Sequence, residues 1–121
     1  MMIYIVDDDV SVCQATARLV KSAGLSAQAF TSAEVLLRSS HPTASDCLLL
    51  DIRMPGMSGL DMLRQLRRSG IQTPVIFITA FDDDQTRQEA RSMGAVGYFL
   101  KPFDDQALLD MISFATGLHG Q

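Results

Sequence analysis

The sequence predicts a three-layer, doubly wound α/β domain in which helices cover both faces of one parallel sheet. Four short apolar runs, and a weaker fifth, alternate with stretches in which apolar residues recur at helical spacing. Short, continuous apolar runs bounded by turn residues are typical of the buried strands of a parallel sheet. Right-handed crossovers then place helices on both faces. We therefore expect a (βα)5 arrangement with strand order 2-1-3-4-5, one of the two common orders for such sheets.

The predicted strands share a second property, which is that four of them end in a polar residue. The first run leads into three consecutive aspartates, the third into Asp51, the fourth into Thr79 and the fifth into Lys101. Pro74 opens the fourth strand, where a first-residue proline is tolerated. The apolar runs of the predicted strands span residues 2–6, 26–30, 47–50, 75–78 and 96–100.

Capping residues mark the ends of the predicted helices. Thr31 and Glu34 predict a capping box, with Thr31 as the N-cap of the second helix, and Ser58 resembles the N-cap of the third. The fourth helix, Asp83–Met93, is mostly polar, and mainly Ala90 and Met93 would anchor it to the core. Glycines after three helices predict their C-terminal ends: Gly24, Gly70 and Gly94. Apolar positions at helical spacing mark the fifth helix: Leu108, Met111, Ile112 and Ala115.

Composition indicates one globular domain. The chain has 121 residues, of which 47% are apolar, so it can bury an adequate core. Its net charge of −4 argues against direct binding of nucleic acid or anionic lipid. Cys13 and Cys47 fall inside predicted elements and are expected to be buried, reduced thiols. No run approaches the roughly 20 apolar residues of a membrane span, and no signal peptide is evident. We expect a cytoplasmic domain spanning 1–121, with a core of 1–116 and a tail of 117–121.

The strand-end aspartates predict a cation site. In open α/β sheets, ligand sites collect at the carboxyl ends of the strands, which would bring Asp7, Asp8 and Asp51 together. Two carboxylates about 4 Å apart repel by roughly 4 kcal/mol at an effective dielectric of about 20, so the cluster must take up protons or bind a cation. All the ligands are oxygens, which favours a hard divalent ion such as Mg²⁺. The alternative, in which 7–9 only cap the following helix, explains Asp9 but leaves Asp51 unexplained.

Carboxylates with a cation, an ammonium and a hydroxyl suit phosphoryl transfer, in which a protein mainly positions groups and neutralises charge. One carboxylate can act as the nucleophile and form an aspartyl phosphate. Lys101 would pair with one phosphoryl oxygen, and the hydroxyl of Thr79 could donate to another. Taken singly, Lys101 reads as a solvated lysine and Thr79 as a strand former; their joint placement predicts the site.

Four motifs in order resemble the receiver domain of bacterial two-component response regulators: residues 6–9, Asp51-x-x-Met-Pro-x-Met-Ser-Gly, Thr79-Ala80 and Lys101-Pro102-Phe103. The resemblance spans nearly the whole chain. The residues at 51–59 and 101–103 are most similar to those of the FixJ/NarL type. It implies a flavodoxin/CheY-like fold and phosphorelay signalling, in which a sensor histidine kinase phosphorylates Asp51. Such a domain would not be an enzyme beyond catalysing its own phosphorylation and dephosphorylation.

The resemblance also assigns roles to single residues. It implies that Asp8, Asp51 and the backbone carbonyl of Arg53 bind Mg²⁺, with Asp7 reaching it directly or through water. Thr79 and Lys101 would hold the phosphoryl oxygens. The resemblance further implies that Tyr98 occupies the aromatic switch position and that the Lys101–Pro102 bond is cis. Arg53 and Phe81 would lie along the path of a water attacking the phosphoryl group. FixJ-type receivers usually precede a DNA-binding domain, so transcription is the expected output, through a domain outside this chain.

Two other functions fit parts of the sequence. A haloacid-dehalogenase-type phosphatase would use Asp7 as nucleophile and Asp9 as acid, but it leaves 51–59 unexplained and needs a cap domain. A flavodoxin-like nucleotide binder needs a phosphate-binding loop after the first strand, where 7–9 would repel a phosphate. A phosphorylation-dependent homodimer is also expected. In it, polar residues of the fourth helix would meet acidic groups of a second molecule: Gln85, Arg87, Gln88 and Arg91 on one side, and Asp104, Asp105 or Asp110 on the other.

Overall fold

The computed structural model describes residues 1–117 and contains five strands alternating with five helices. The strands are β1 (Ile3–Val6), β2 (Ala27–Phe30), β3 (Cys47–Leu50), β4 (Val75–Thr79) and β5 (Gly97–Leu100). The helices are α1 (Val10–Ser22), α2 (Ala33–Ser39), α3 (Gly59–Arg68), α4 (Asp84–Ser92) and α5 (Asp105–Thr116). The expected alternation of strands and helices is confirmed.

The strands form one parallel sheet in the order β2-β1-β3-β4-β5, as predicted. The central strands are buried along their whole length, because helices cover both faces of the sheet. One core cluster contains Leu48, Leu50 and Phe77 and includes α3 residues. The other contains Leu49 and Ile76 and includes residues of α1 and α5. Successive residues of one strand therefore serve opposite faces.

The predicted capping box at α2 is wrong. Ser32, in an extended conformation, is the N-cap, and its Oγ accepts a hydrogen bond from the backbone N–H of Val35 at 3.1 Å. A helix that begins at Ala33 places Ala33 and Leu36, three residues apart, in the core. That register puts Glu34 second rather than third in the helix, so its carboxylate is released for another partner.

The other boundaries differ only slightly from the predictions. β2 begins at Ala27 rather than at residue 26, while Asp83 and Met93 are the caps of α4 rather than members of it. Ser58 caps α3 as predicted. Cys13 and Cys47 are buried and free, and the Lys101–Pro102 bond is cis.

No helix within residues 1–117 is long and apolar enough to cross a membrane. Four of the five residues assigned to the tail, 118–121, lie outside the described residues.

Candidate functional site

The sheet brings the predicted strand-end residues to one edge. Because Val6 of β1 is in register with Leu50 of β3, the next residues, Asp7 and Asp51, lie side by side. The backbone N–H of Asp51 also donates to the carbonyl oxygen of Val6 at 2.9 Å. On the other side, Thr79 ends β4 and its carbonyl oxygen accepts from the backbone N–H of Lys101 at 2.9 Å. The order of the strands thus gathers residues that are distant in sequence.

Lys101 connects the two buried aspartates. Its Nζ lies 2.6 Å from Oδ2 of Asp7 and 3.2 Å from Oδ2 of Asp51. Asp7 and Asp51 are almost wholly buried, with 3% and 7% of their surface exposed. The other oxygen of each carboxylate is held by a backbone amide: that of Asp9 bonds Asp7 at 2.9 Å, and that of Ile52 bonds Asp51 at 2.7 Å. The ammonium and these amides therefore fix both carboxylates in position.

Burial and neighbouring charges shift the pKa values of Asp7 and Lys101. Burial raises the pKa of Asp7, and the neighbouring charge of Asp51 adds to the rise, so the bonds from Lys101 and the Asp9 amide only partly offset it. Burial alone would lower the pKa of Lys101, but hydrogen bonds and charges from both aspartates outweigh it and the pKa is raised. The ammonium therefore stays charged, and the site has an excess of negative charge that one lysine does not balance.

The geometry fits a small hard cation. Asp7, Asp8 and Asp51 each offer a carboxylate oxygen, and these three oxygens lie within 4.8 Å of one another. Ligands around an octahedral ion at about 2.1 Å stand roughly 3–4 Å apart, so modest side-chain movement would suffice. Asp8 is exposed, which leaves the cluster open to solvent on one side. Oxygen-only donors and an open side are the features that Mg²⁺ favours.

Asp9 has a different role, because it caps α1. Its Oδ1 accepts from the backbone amides of Ser11 at 2.9 Å and Val12 at 3.3 Å. The capping reading of residues 7–9 is therefore correct for Asp9 alone. A haloacid-dehalogenase-type site would need Asp9 as a free acid, which this capping role opposes.

The loop after Asp51 carries the exposed Arg53. The Cζ atom of Arg53 lies 3.4 Å from the ring centroid of Phe81, a close cation–π contact. The two residues stand two positions after Asp51 and Thr79 respectively, so their contact joins the loops that follow β3 and β4. The sequence placed both residues near the path of an attacking water, but it did not predict that they would stack.

Thr79 and Tyr98 both bond to the same loop residue. The Oγ1 of Thr79 accepts from the backbone N–H of Phe81 at 3.1 Å, and the hydroxyl of Tyr98 donates to the carbonyl oxygen of Phe81 at 2.8 Å. The ring of Tyr98 is half-buried, with its centroid 6.2 Å from that of Phe77. Tyr98 is therefore packed beside β4 and tied to the loop that follows that strand.

Sequence reasoning missed two contacts near the site. The Sγ of Cys13 donates to the carbonyl oxygen of Asp7 at 3.1 Å, and Oε2 of Glu34 accepts from the backbone N–H of Met57 at 3.1 Å. Cys13 was expected only to be buried, and Glu34 only to cap its own helix. In the sequence, Ser32 is as suitable an N-cap as Thr31, and a helix capped by Ser32 leaves Glu34 free for another partner.

Comparisons with known proteins show the family to which the chain belongs. The family model "Response regulator receiver domain" matches residues 3–113. The response regulator protein TodT of Pseudomonas putida (strain F1) is 47% identical over 120 residues, covering 99% of this chain and 53% of TodT. The transcriptional regulatory protein FixJ of Azorhizobium caulinodans is 36% identical over 115 residues, covering 95% and 54%.

A solved structure extends the agreement to three dimensions. The response regulator StyR superposes with a TM-score of 0.89 at 39% identity, covering 97% of this chain and 59% of StyR. The chain thus spans little more than half of each of these proteins. The comparisons lend no support to the phosphatase alternative, and FixJ-type relatives are present as the motifs predicted. The chain belongs to the receiver domains of response regulators.

Proposed function

We propose that this domain accepts a phosphoryl group on Asp51 from a sensor histidine kinase. The observation that carries the proposal is Lys101, whose ammonium bridges Asp7 and Asp51 at the edge of the sheet. Asp51 is held by the Ile52 amide on Oδ1, so its Oδ2 faces the ammonium. A phosphoryl group on Oδ2 would place its oxygens within reach of Lys101.

The proposed reaction is a nucleophilic displacement at phosphorus. An Oδ2 lone pair of Asp51 forms the new P–O bond while the P–N bond of a phosphohistidine breaks, and the imidazole leaves with that electron pair and takes up a proton. Lys101 neutralises charge on the transferred oxygens. Thr79, 1% exposed, presents a hydroxyl that can donate to a further oxygen.

Asp7, Asp8, Asp51 and the backbone carbonyl of Arg53 are the groups that would hold Mg²⁺. When bound, the ion would shield the negative charge that gathers as two anions approach each other. The carboxylates of this chain supply the binding charge, and Lys101 keeps Asp7 oriented toward the cluster.

Covalent labelling tests the acceptor. With Mg²⁺ and acetyl phosphate, the wild-type protein should gain the mass of one phosphoryl group, and hydroxylamine should remove it, as expected of an acyl phosphate. Asp51→Asn should not label, whereas Asp110→Asn, an exposed aspartate outside the site, should label fully. Full labelling of Asp51→Asn together with loss of labelling in Asp7→Asn would instead establish the phosphatase-type nucleophile.

Thermal melting tests the metal site. Mg²⁺ at 100 times its Kd should stabilise the wild-type protein by about 2.7 kcal/mol. Asp8→Ala should lose that response without lowering the stability of the metal-free protein, because removing one charge relieves repulsion. A preserved Mg²⁺ response in Asp8→Ala would contradict the ligand assignment.

We infer that the kinase docks beside Lys101, in a groove between α1 and the loop after β5. Apolar side chains line most of this groove, including Val12, Leu19 and Phe103. Such a surface suits an apolar helix face of a partner. Leu19→Glu should slow phosphotransfer from a cognate kinase while leaving acetyl phosphate labelling unchanged. Equal slowing of both reactions would argue against a docking role.

The proposed output is a change in the surface of α4, β5 and α5, read through Thr79 and Tyr98. A phosphoryl group would draw the Thr79 hydroxyl away from the Phe81 amide, and the Tyr98–Phe81 bond would have to adjust. Because FixJ is a transcriptional regulator and this chain spans about half of it, we propose transcription as the output, through the remainder of a longer protein.

We also propose that phosphorylation promotes a homodimer through this surface. Two apolar side chains of this surface are exposed, Leu100 of β5 and Val96 just before it. Arg91 of α4 and Asp110 of α5 are exposed as well. Arg87, expected to face the partner, instead pairs with Asp82 of its own chain at 2.7 Å, so it would have to exchange partners. Sedimentation with beryllofluoride should show a mass increase that Arg91→Glu abolishes and Arg38→Glu does not. An unchanged mass would rule out the dimer.

A further inference from the structure

Glu34 of α2 holds the loop that follows Asp51, although 23 residues separate it from its partner, Met57. Its Oε2 accepts from the backbone N–H of Met57 at 3.1 Å. The same oxygen would lie 2.5 Å from a Cβ added at Gly56, whose φ is +77°. The left-handed turn at Gly56 therefore packs directly against the carboxylate, and only glycine fits there without strain.

The rest of the loop has few other polar anchors. At its start, the backbone N–H of Ile52 bonds Oδ1 of Asp51, and at its end the N–H of Gly59 donates to the carbonyl oxygen of Ile52 at 2.8 Å. Met54 is buried in the core. Among the residues that the structure describes, the Met57 bond is the one hydrogen bond that joins the middle of the loop, 53–57, to another element.

Helix α2 does not need Glu34 as a cap, because Ser32 already bonds the third amide of the helix. A carboxylate in the first turn of a helix is favoured by the helix dipole, and a carboxylate oxygen is a stronger acceptor for an amide than a neutral oxygen is. The contact thus links the first turn of α2 to the acceptor loop.

We propose that Glu34 is a positioning residue that fixes the loop of 53–57, and with it the Arg53 carbonyl, for cation binding. This inference rests on the proposed function, since it concerns the same Mg²⁺ site. Glu34 touches neither Asp51 nor the acidic cluster among the contacts described, so it acts through the loop.

The test compares Glu34→Ala and Glu34→Gln with Arg38→Ala, a change at an exposed position of the same helix. In the metal-free protein, amide hydrogen exchange at Met57 should rise at least tenfold in Glu34→Ala, because the bond that protects it is gone. Glu34→Gln keeps an acceptor oxygen and should stay within about threefold of wild type, as should Arg38→Ala. In titrations, the Kd for Mg²⁺ should rise about three- to tenfold in Glu34→Ala only.

Each outcome decides one question. Wild-type exchange at Met57 in Glu34→Ala, or an unchanged Kd for Mg²⁺ despite faster exchange, would overturn the positioning role. A lowered melting temperature in Glu34→Ala with the same Kd would assign it to stability alone and would also overturn the proposal. Failure of wild-type protein to bind Mg²⁺ would refute the metal site of the proposed function, while the exchange data would still report whether Glu34 holds the loop.

Discussion

Gly59, the first residue of α3, lies against the backbone of the acceptor, and replacing it with alanine tests how tightly the site is built. A Cβ at this position would stand 2.0 Å from the carbonyl oxygen of Asp51, 2.9 Å from its carbonyl carbon and 3.1 Å from Cα of Ile52. All three are backbone atoms, so no side chain can rotate to relieve the contact. The backbone of Asp51 or the start of α3 must move in Gly59→Ala.

The size of that movement sets the expected cost. Carbon and oxygen atoms not bonded to each other stand about 3.3 Å apart at closest, so a shift of roughly 1.3 Å is needed. Overpacking in a well-packed region costs about 1–3 kcal/mol. Replacing glycine within a helix returns roughly 0.5–1 kcal/mol through backbone entropy. The free energy of unfolding should therefore fall by roughly 0–2.5 kcal/mol, with a midpoint of about 1.3 kcal/mol. Each kcal/mol should lower the Tm by roughly 3–6 °C.

The same shift should disturb phosphorylation. A displacement of about 1 Å in a reacting group can cost on the order of 100-fold in rate, so labelling by acetyl phosphate should slow by roughly 10- to 100-fold in Gly59→Ala. Urea unfolding measures the stability, and Gln65→Ala, at an exposed position of α3, is the control. A Gly59→Ala protein with wild-type stability and labelling rate would refute the argument. Lower stability with a normal rate would show that α3 moves while Asp51 does not.

Three further changes test other parts of the structure. Arg53→Ala should speed loss of the phosphoryl group about two- to fivefold, since a stack on Phe81 worth about 0.5–1 kcal/mol no longer covers the water path; unchanged decay measured by mass spectrometry would contradict this. Arg67→Met should lower the free energy of unfolding by about 1–3 kcal/mol in urea, because three carbonyl groups lose their donor, whereas the exposed Arg68→Ala should not. The pKa of Asp46 is lowered overall, because the hydrogen bonds that its carboxylate accepts outweigh the effect of burial, which alone would raise the pKa. The stability advantage over Asp46→Asn should thus be complete above about pH 4 and disappear as pH falls further; an advantage that stays constant down to pH 3 would disprove it.

The features predicted correctly depend on patterns within a few residues or on general rules of topology. Each strand is a short apolar run because a parallel strand is buried on both faces, so the sequence need not alternate. Asp7, Asp51, Thr79 and Lys101 could be placed together because parallel strands bring their carboxyl ends to one edge. Neither inference requires knowledge of a particular side-chain contact.

The features missed depend on contacts between residues distant in sequence. Thr31 and Ser32 can both cap a helix, and the choice follows from which register buries Leu36. The sequence predicts no particular role for Arg67, yet its guanidinium donates to carbonyl oxygens in two other segments. Nothing local distinguishes it from its exposed neighbour Arg68. Side-chain partners of this kind emerge only once the elements are packed.

The two ends of α4 are held differently, which bears on how a signal at the sheet edge could reach the surface. Near its C-terminal end, Ala90 is buried and the carbonyl oxygen of Met93 accepts from Nε of Arg67 at 3.1 Å. Toward its N-terminal end, Arg87 lies over the ring of Tyr98 at 4.7 Å, and its Nε is the one buried side-chain nitrogen or oxygen within residues 1–117 without a hydrogen-bond partner. A buried donor without a hydrogen-bond partner costs about 1–3 kcal/mol. A second conformation of α4 in which Nε of Arg87 finds a partner can therefore compete with the present conformation. A change in the Tyr98 bond would therefore move the N-terminal half of α4 more readily than the end fastened by Arg67.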